Sequence, residues 1–146
     1  MLKALFLDMD ETLCDTSAAN ERAAQLMAEA LAARYGEDLD AEGIARDYVR
    51  CIYRKWSDAE HARYMPIIER QSEAAFRMQL ILDLLAGQGV TDVSEADART
   101  LQSKFDSDRL AAFHFYPGIA DFLLEARKLF TLVVITNGPE FSQIPK

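Results

Sequence analysis

Ala4-Leu5-Phe6-Leu7 runs directly into Asp8-Met9-Asp10-Glu11-Thr12-Leu13, an apolar stretch that stops at two carboxylates separated by one residue. The run is continuous rather than alternating, which predicts a parallel strand covered on both faces from Ala4 to Leu7. An acid pair at the carboxyl end of such a strand stands where open α/β sheets bind their ligands. A lone Asp after a strand serves equally well as the cap of the next helix. The second Asp and Thr12 favour a reaction centre.

A second apolar run, Leu132-Val133-Val134-Ile135, ends at Thr136-Asn137-Gly138 near the other end of the chain. Seen alone, that tripeptide is an ordinary strand-ending turn. Between the two runs the period changes. Ala19, Ala23, Leu26-Met27, Ala30-Leu31 and Tyr35 recur every three or four residues, and Gly36 supplies a stop. A second helix is expected through Ile44, Tyr48-Val49, Ile52 and Trp56, a third from Ile67 through Leu85, and a fourth around Glu95 to Phe105. Pro117-Gly118 turns the chain, and Ile119, Phe122-Leu123, Ala126 and Leu129-Phe130 form a further helical stripe.

Sixteen Lys plus Arg against twenty-four Asp plus Glu give a formal charge of −8, which argues against a nucleic-acid-binding surface. There is no long apolar span, so neither a secretory signal nor a membrane helix is expected. Cys14 and Cys51 lack metal-ligand spacing and suit a reducing, cytoplasmic setting. His61 and His114 have no Cys partner nearby and do not suggest zinc.

The Asp8-Met9-Asp10-Glu11-Thr12 segment resembles the DxDxT signature of the haloacid-dehalogenase-like hydrolases, and Thr136-Asn137-Gly138, placed after the second strand, resembles their second motif. Pro117-Gly118 followed by a helix resembles the usual approach to that strand. The resemblance implies an α/β fold: a partial Rossmann-like core with an inserted all-helical C1-type cap. Residues 1–16 would be core, 17–113 the cap, and 114–146 the return to the core. The chain crosses between them near Cys14 to Asn20 and Phe113 to Pro117. The family's third motif, with a Lys, and its fourth, with metal-binding acids, do not follow Gly138, and Lys146 lies too close to Thr136 to take the third-motif role. A chain truncated after the second motif is therefore expected, with a homo-oligomer or a second chain covering the incomplete core.

The same resemblance implies a Mg²⁺-dependent phosphatase of small phosphorylated metabolites, either sugar phosphates or nucleoside monophosphates. Asp8 would be the nucleophile and Asp10 the general acid/base, with both contributing to the metal site. Thr136 and Asn137 would bind the phosphoryl group, Gly138 would let the backbone approach it, and Thr12 would organise the Asp loop through its hydroxyl. The second Asp separates this reading from the dehalogenase branch. A phosphomutase and a non-catalytic interaction protein are the alternatives. In the cap, Asn20, Arg54, Lys55, Trp56, His61 and Arg77 are the polar candidates for substrate contact, although most such side chains only solvate helix faces.

Overall fold

The computed structural model describes residues 3–137. Its elements are strand β1 (Ala4–Asp8), helices α1 (Thr16–Tyr35), α2 (Ala41–Ile52), α3 (Asp58–Arg70), α4 (Glu73–Gly87), α5 (Glu95–Ala112) and α6 (Ile119–Ala126), and strand β2 (Thr131–Ile135). The chain divides into two compact units, one of Met1–Arg22 with Arg109–Lys146 and the other of Ala23–Asp108. The division falls inside α1 and α5. The family resemblance put it at residues 16 and 113, but a helix continues through a domain boundary whenever its backbone hydrogen bonds are locally satisfied.

In the first unit β1 and β2 pair in parallel, with Ala4 opposite Thr131 and Asp8 opposite Ile135. The β-branched residues of β2 suit a pleated strand. The expected cover on both faces is not found among the described residues. Phe6 is 63% exposed, and Val134 and Ile135 are about half exposed. Two strands with few described neighbours cannot bury both faces of a sheet. The expected stripe through Phe130 is also cut short, because α6 ends at Ala126 and the next amides fold back on Glu125 and Ala126.

The second unit is helical, with a core that includes Leu31, Tyr48, Phe76, Leu80, Ile81, Leu85 and Phe105. Tyr48 and Phe105 meet edge to face at 5.0 Å, and Phe76 lies against Trp56 at 5.4 Å and Tyr64 at 5.3 Å. α2 ends at Ile52, before Trp56, whose indole N–H donates to the Cys51 carbonyl at 2.7 Å. The expected third helix is two. α3 begins earlier, at Asp58, and carries Pro66 inside it, while Ser72 in extended conformation starts α4 by accepting from the Ala75 N–H at 3.0 Å. A serine hydroxyl competes with helix continuation by offering the next turn a cap. That signal was present in Ser72-Glu73 but was masked by the apolar period on either side.

Ionic contacts tie these helices, among them two with buried or capping roles. Glu60 closes a capping box with Ser57 and pairs with Arg50 at 2.6 Å, joining α2 to the start of α3. Arg77 is 5% exposed; its Nε donates to the Tyr48 hydroxyl at 2.9 Å and its terminal nitrogens to Asp106 at 3.0 and 2.6 Å. Burial pushes the Tyr48 hydroxyl up to about 12, so it remains protonated.

Removing Arg77 strands the buried Tyr48 hydroxyl, whereas Asp106, half exposed, is rehydrated. Arg77→Ala is expected to cost on the order of 3 kcal/mol. Arg77→Met, which keeps the packing of the stem, should cost less. Urea unfolding followed by Trp56 fluorescence measures both. An equal cost would show that the ion pair rather than the stem carries the effect.

A second expectation concerns acid. The Arg50 guanidinium, helped by the Ser57 N–H and hydroxyl, holds the Glu60 carboxyl down from 4.5 to about 2. A depressed folded-state value gives stability that is complete above the unfolded value and is lost as pH falls toward the folded one. The stability difference between the wild type and Glu60→Gln should therefore shrink between about pH 4.5 and pH 2 and be flat above. Unfolding curves at several pH values check this; a constant difference across that window would contradict it.

Candidate active site

The in-register pairing brings the carboxyl ends of β1 and β2 together, so Asp8, the last residue of β1, and Thr136, the first residue after β2, stand at the same end of neighbouring strands. Adjacent strands lie about 4.8 Å apart, so these ends are within side-chain reach of a common ligand. Asp8 is exposed, and its Oδ1 accepts from the Met9 N–H at 2.8 Å. The Thr136 hydroxyl is buried and makes no hydrogen bond among the described residues. A buried hydroxyl without a partner is costly unless something else supplies one. Asn137 is exposed; Gly138 lies outside the described residues.

From Asp8 the chain winds into a tight loop. The Met9 carbonyl accepts from the amides of Leu13 at 3.0 Å and Cys14 at 3.1 Å, and the Glu11 N–H donates to the Cys14 carbonyl at 3.0 Å. Closing so short a loop puts Glu11 at φ 57°, in the left-handed region that disfavours a side chain. Its carboxylate offsets that strain. One oxygen accepts from the Ser17 N–H at 2.7 Å and the other from the Tyr116 hydroxyl at 3.1 Å. Partial burial and the Glu11 contact raise the Tyr116 hydroxyl above its ordinary value.

Asp10 is half-buried, and its Oδ1 accepts from the Thr16 hydroxyl at 2.7 Å. Thr16 opens α1 and is 5% exposed. Asp15 caps the same turn by accepting from the Ala18 N–H at 2.9 Å. The segment entering α1 is pinned to the segment leaving α5: Asp15 N–H donates to the His114 carbonyl at 3.2 Å and Tyr116 N–H to the Leu13 carbonyl at 3.0 Å.

The hydroxyl that organises the Asp loop is thus that of Thr16. Thr12, expected to do this, is exposed and contributes a weak backbone contact to Met9 at 3.4 Å. Glu11 and Thr16 were both missed. A hydroxyl residue just past an Asp cap was the legible sign of Thr16, while the left-handed turn at Glu11 left no mark in the composition.

The polar residues expected to meet substrate are largely engaged elsewhere. Arg54 pairs with Glu73 at 2.8 Å and stacks over Trp56, Arg77 is closed inside the helical core, and Asn20 accepts from Arg109 at 2.8 Å. His61 lies edge-on to Trp56 at 5.9 Å, and Lys55 is exposed with its carbonyl taken by Arg50. No group of three or more His, Cys, Asp or Glu among the described residues is arranged to hold a metal. Asp8 and Asp10 nevertheless offer the hard oxygen donors that Mg²⁺ prefers, and that ion commonly takes one or two carboxylates with substrate phosphate and water.

A strand-tip carboxylate, a second acid two residues on and a hydroxyl just past the end of the parallel neighbour thus lie at one end of the strand pair. The family model for haloacid dehalogenase-like hydrolases matches residues 2–145, and the chain belongs to that family. Its fold is similar to the crystal structure of the HAD-hydrolase YfnB from Bacillus subtilis, which was determined bound to magnesium and reveals interdomain movement (TM-score 0.60, 18% identity). The match covers 99% of this chain and 57% of that one, so the chain spans little more than half the length of the solved protein. No curated protein sequence matches the chain.

Thr16→Val removes the bond to Asp10 and should destabilise the protein by about 1–2 kcal/mol, whereas Thr12→Val, at an exposed position, should stay within about 0.5 kcal/mol. Urea unfolding of the two variants separates them. Equal effects would return the organising role to Thr12.

Proposed function

We propose that the protein hydrolyses phosphate monoesters of small metabolites through an aspartyl-phosphate intermediate. The observation that carries this reading is the strand register, which brings Asp8 and Thr136 to the same end of neighbouring strands, with the Thr136 hydroxyl buried and without a hydrogen bond among the described residues. A carboxylate sharing one end of the sheet with a waiting donor suits attack on a phosphoryl group whose oxygens need stabilising.

In this mechanism one Asp8 oxygen attacks phosphorus, the bond from phosphorus to the ester oxygen breaks, and protonated Asp10 gives its proton to the departing alcohol. Asp10 then takes a proton from water as that water attacks the acyl phosphate, releasing inorganic phosphate and restoring the Asp8 carboxylate. Thr16 keeps Asp10 aimed through both half-reactions. Thr136 and the Asn137 N–H hold the phosphoryl oxygens. Asp8's carboxylate and Asp10's backbone carbonyl are the groups that would hold Mg²⁺, which when bound offsets negative charge on the transferring group. The magnesium in the structure of YfnB supports that choice of ion.

The helical unit, Ala23–Asp108, acts as the cap that excludes water and selects substrate. The interdomain movement reported for YfnB supports a closing role. The exposed Phe6, Val134 and Ile135 support a further part of the reading, that a second chain or second copy covers the sheet. No helix among the described residues is long and apolar enough to cross a membrane, and the two cysteines are buried thiols, which fits a cytoplasmic enzyme.

Incubation with phenyl phosphate and Mg²⁺ should give a hydroxylamine-sensitive phosphoprotein and free phosphate. Asp8→Asn should abolish both, and Asp10→Asn should slow turnover by roughly 10²–10⁴-fold. Phosphoprotein formed at normal rates by Asp8→Asn would refute the nucleophile. Return of the phosphate to another hydroxyl of the substrate, rather than to water, would identify a mutase.

A further inference from the structure

The mechanism above leaves the buried Asn20 without a task. Thr16, Asn20 and Arg77 are the buried polar or charged residues among those described, and Arg77 is closed within the helical core. Thr16 and Asn20 are four residues apart on α1, so they stack on one face about 6 Å apart along the axis. Thr16 grips Asp10. Asn20 accepts from Arg109 Nε at 2.8 Å. Burying an amide is unfavourable unless its hydrogen bonds are satisfied, and this contact spends the Asn20 oxygen on orienting a guanidinium.

Arg109, in the last turn of α5, pairs with no carboxylate among the described residues. Arg34, Arg50, Arg54, Arg63 and Arg77 each do. A neutral amide on Nε fixes the plane of the guanidinium without neutralising it, which leaves its terminal N–H groups and full charge for an outside anion. In a chain of net charge −8, an anionic ligand needs such a local cation.

We infer that Arg109, held by Asn20, recognises a carboxylate on the leaving-group side of the substrate, so that small phosphate monoesters of hydroxy acids are preferred. This rests on the hydrolase reading, which places Asp10 at the leaving oxygen. One helical turn separates the residue that holds Asp10 from the residue that holds Arg109, a spacing that suits a compact alcohol with its carboxylate a few bonds from the ester oxygen. A single guanidinium matches the one charge and two oxygens of a carboxylate. It would leave a second phosphate only partly neutralised.

The test titrates the full chain, in excess Mg²⁺, with three non-hydrolysable probes: phosphonoacetate, which carries a carboxylate beside its phosphonate, methylphosphonate, which lacks it, and methylenediphosphonate, which carries a second phosphonate. Calorimetry should show phosphonoacetate binding at least tenfold more tightly than methylphosphonate. Arg109→Met should remove that preference, and Arg109→Lys, which keeps the charge but loses the Nε contact, should reduce it. If circular dichroism shows that Arg109→Met does not fold, Arg109→Lys decides alone. Equal binding of the first two probes, no binding, tightest binding of the diphosphonate, or a preference that survives these substitutions would overturn the assignment. Failure of the hydrolase reading appears separately, as absent phosphoprotein and turnover while the preference for phosphonoacetate persists.

Discussion

The parallel contact between β1 and β2 joins two five-residue strands from opposite ends of the chain, and the candidate site exists only because that contact forms in the observed register. A slip of one residue would turn each side chain of β2 to the other face and move Thr136 away from Asp8. Closing a flexible loop of roughly 120 residues to make the contact costs about 4 kcal/mol in chain entropy, a large sum for two short strands. The helical unit reduces it. The segments flanking that unit are already held together by Asn20 with Arg109 and by Asp15 with His114, so once they meet, the strands need close only short connections.

Carboxylates serve as structural joints at several places in this acidic chain. Glu60 caps α3 and pairs with Arg50, and Glu11 bridges Ser17 and Tyr116. In each case at least two partners converge on one carboxylate, whose two oxygens can satisfy them together. Glu11 shows the balance most clearly. The left-handed backbone that closes the Asp loop opposes a bulky residue, and its two hydrogen bonds offset the strain while tying the loop to α1.

The acid pair therefore depends on surroundings of unequal firmness. Asp10 is held by a hydroxyl from a buried helix start, while Asp8 stands exposed at the strand tip and, among the described residues, accepts from its neighbour's N–H. That asymmetry suits the proposed division of labour. A proton carrier must keep its orientation through two steps, whereas a nucleophile must remain accessible to phosphorus.

What the sequence determined by itself was local or carried by motif. The unbroken apolar runs marked both strands, the three-to-four-residue period marked α1 and α2, and the motifs around Asp8 and Thr136 pointed to the family. The break at Ser72 was readable in principle, since a cap is a local signal, but the apolar period on either side of it concealed it. Tertiary structure alone decided which hydroxyl holds Asp10, that Arg77 is spent inside the helical core, and that Asn20 meets Arg109. These are choices among chemically equivalent side chains, and the choice depends on distances between segments far apart in the chain. Periodicity reports which face of an element is apolar; it carries no information about which polar group from another element will arrive there.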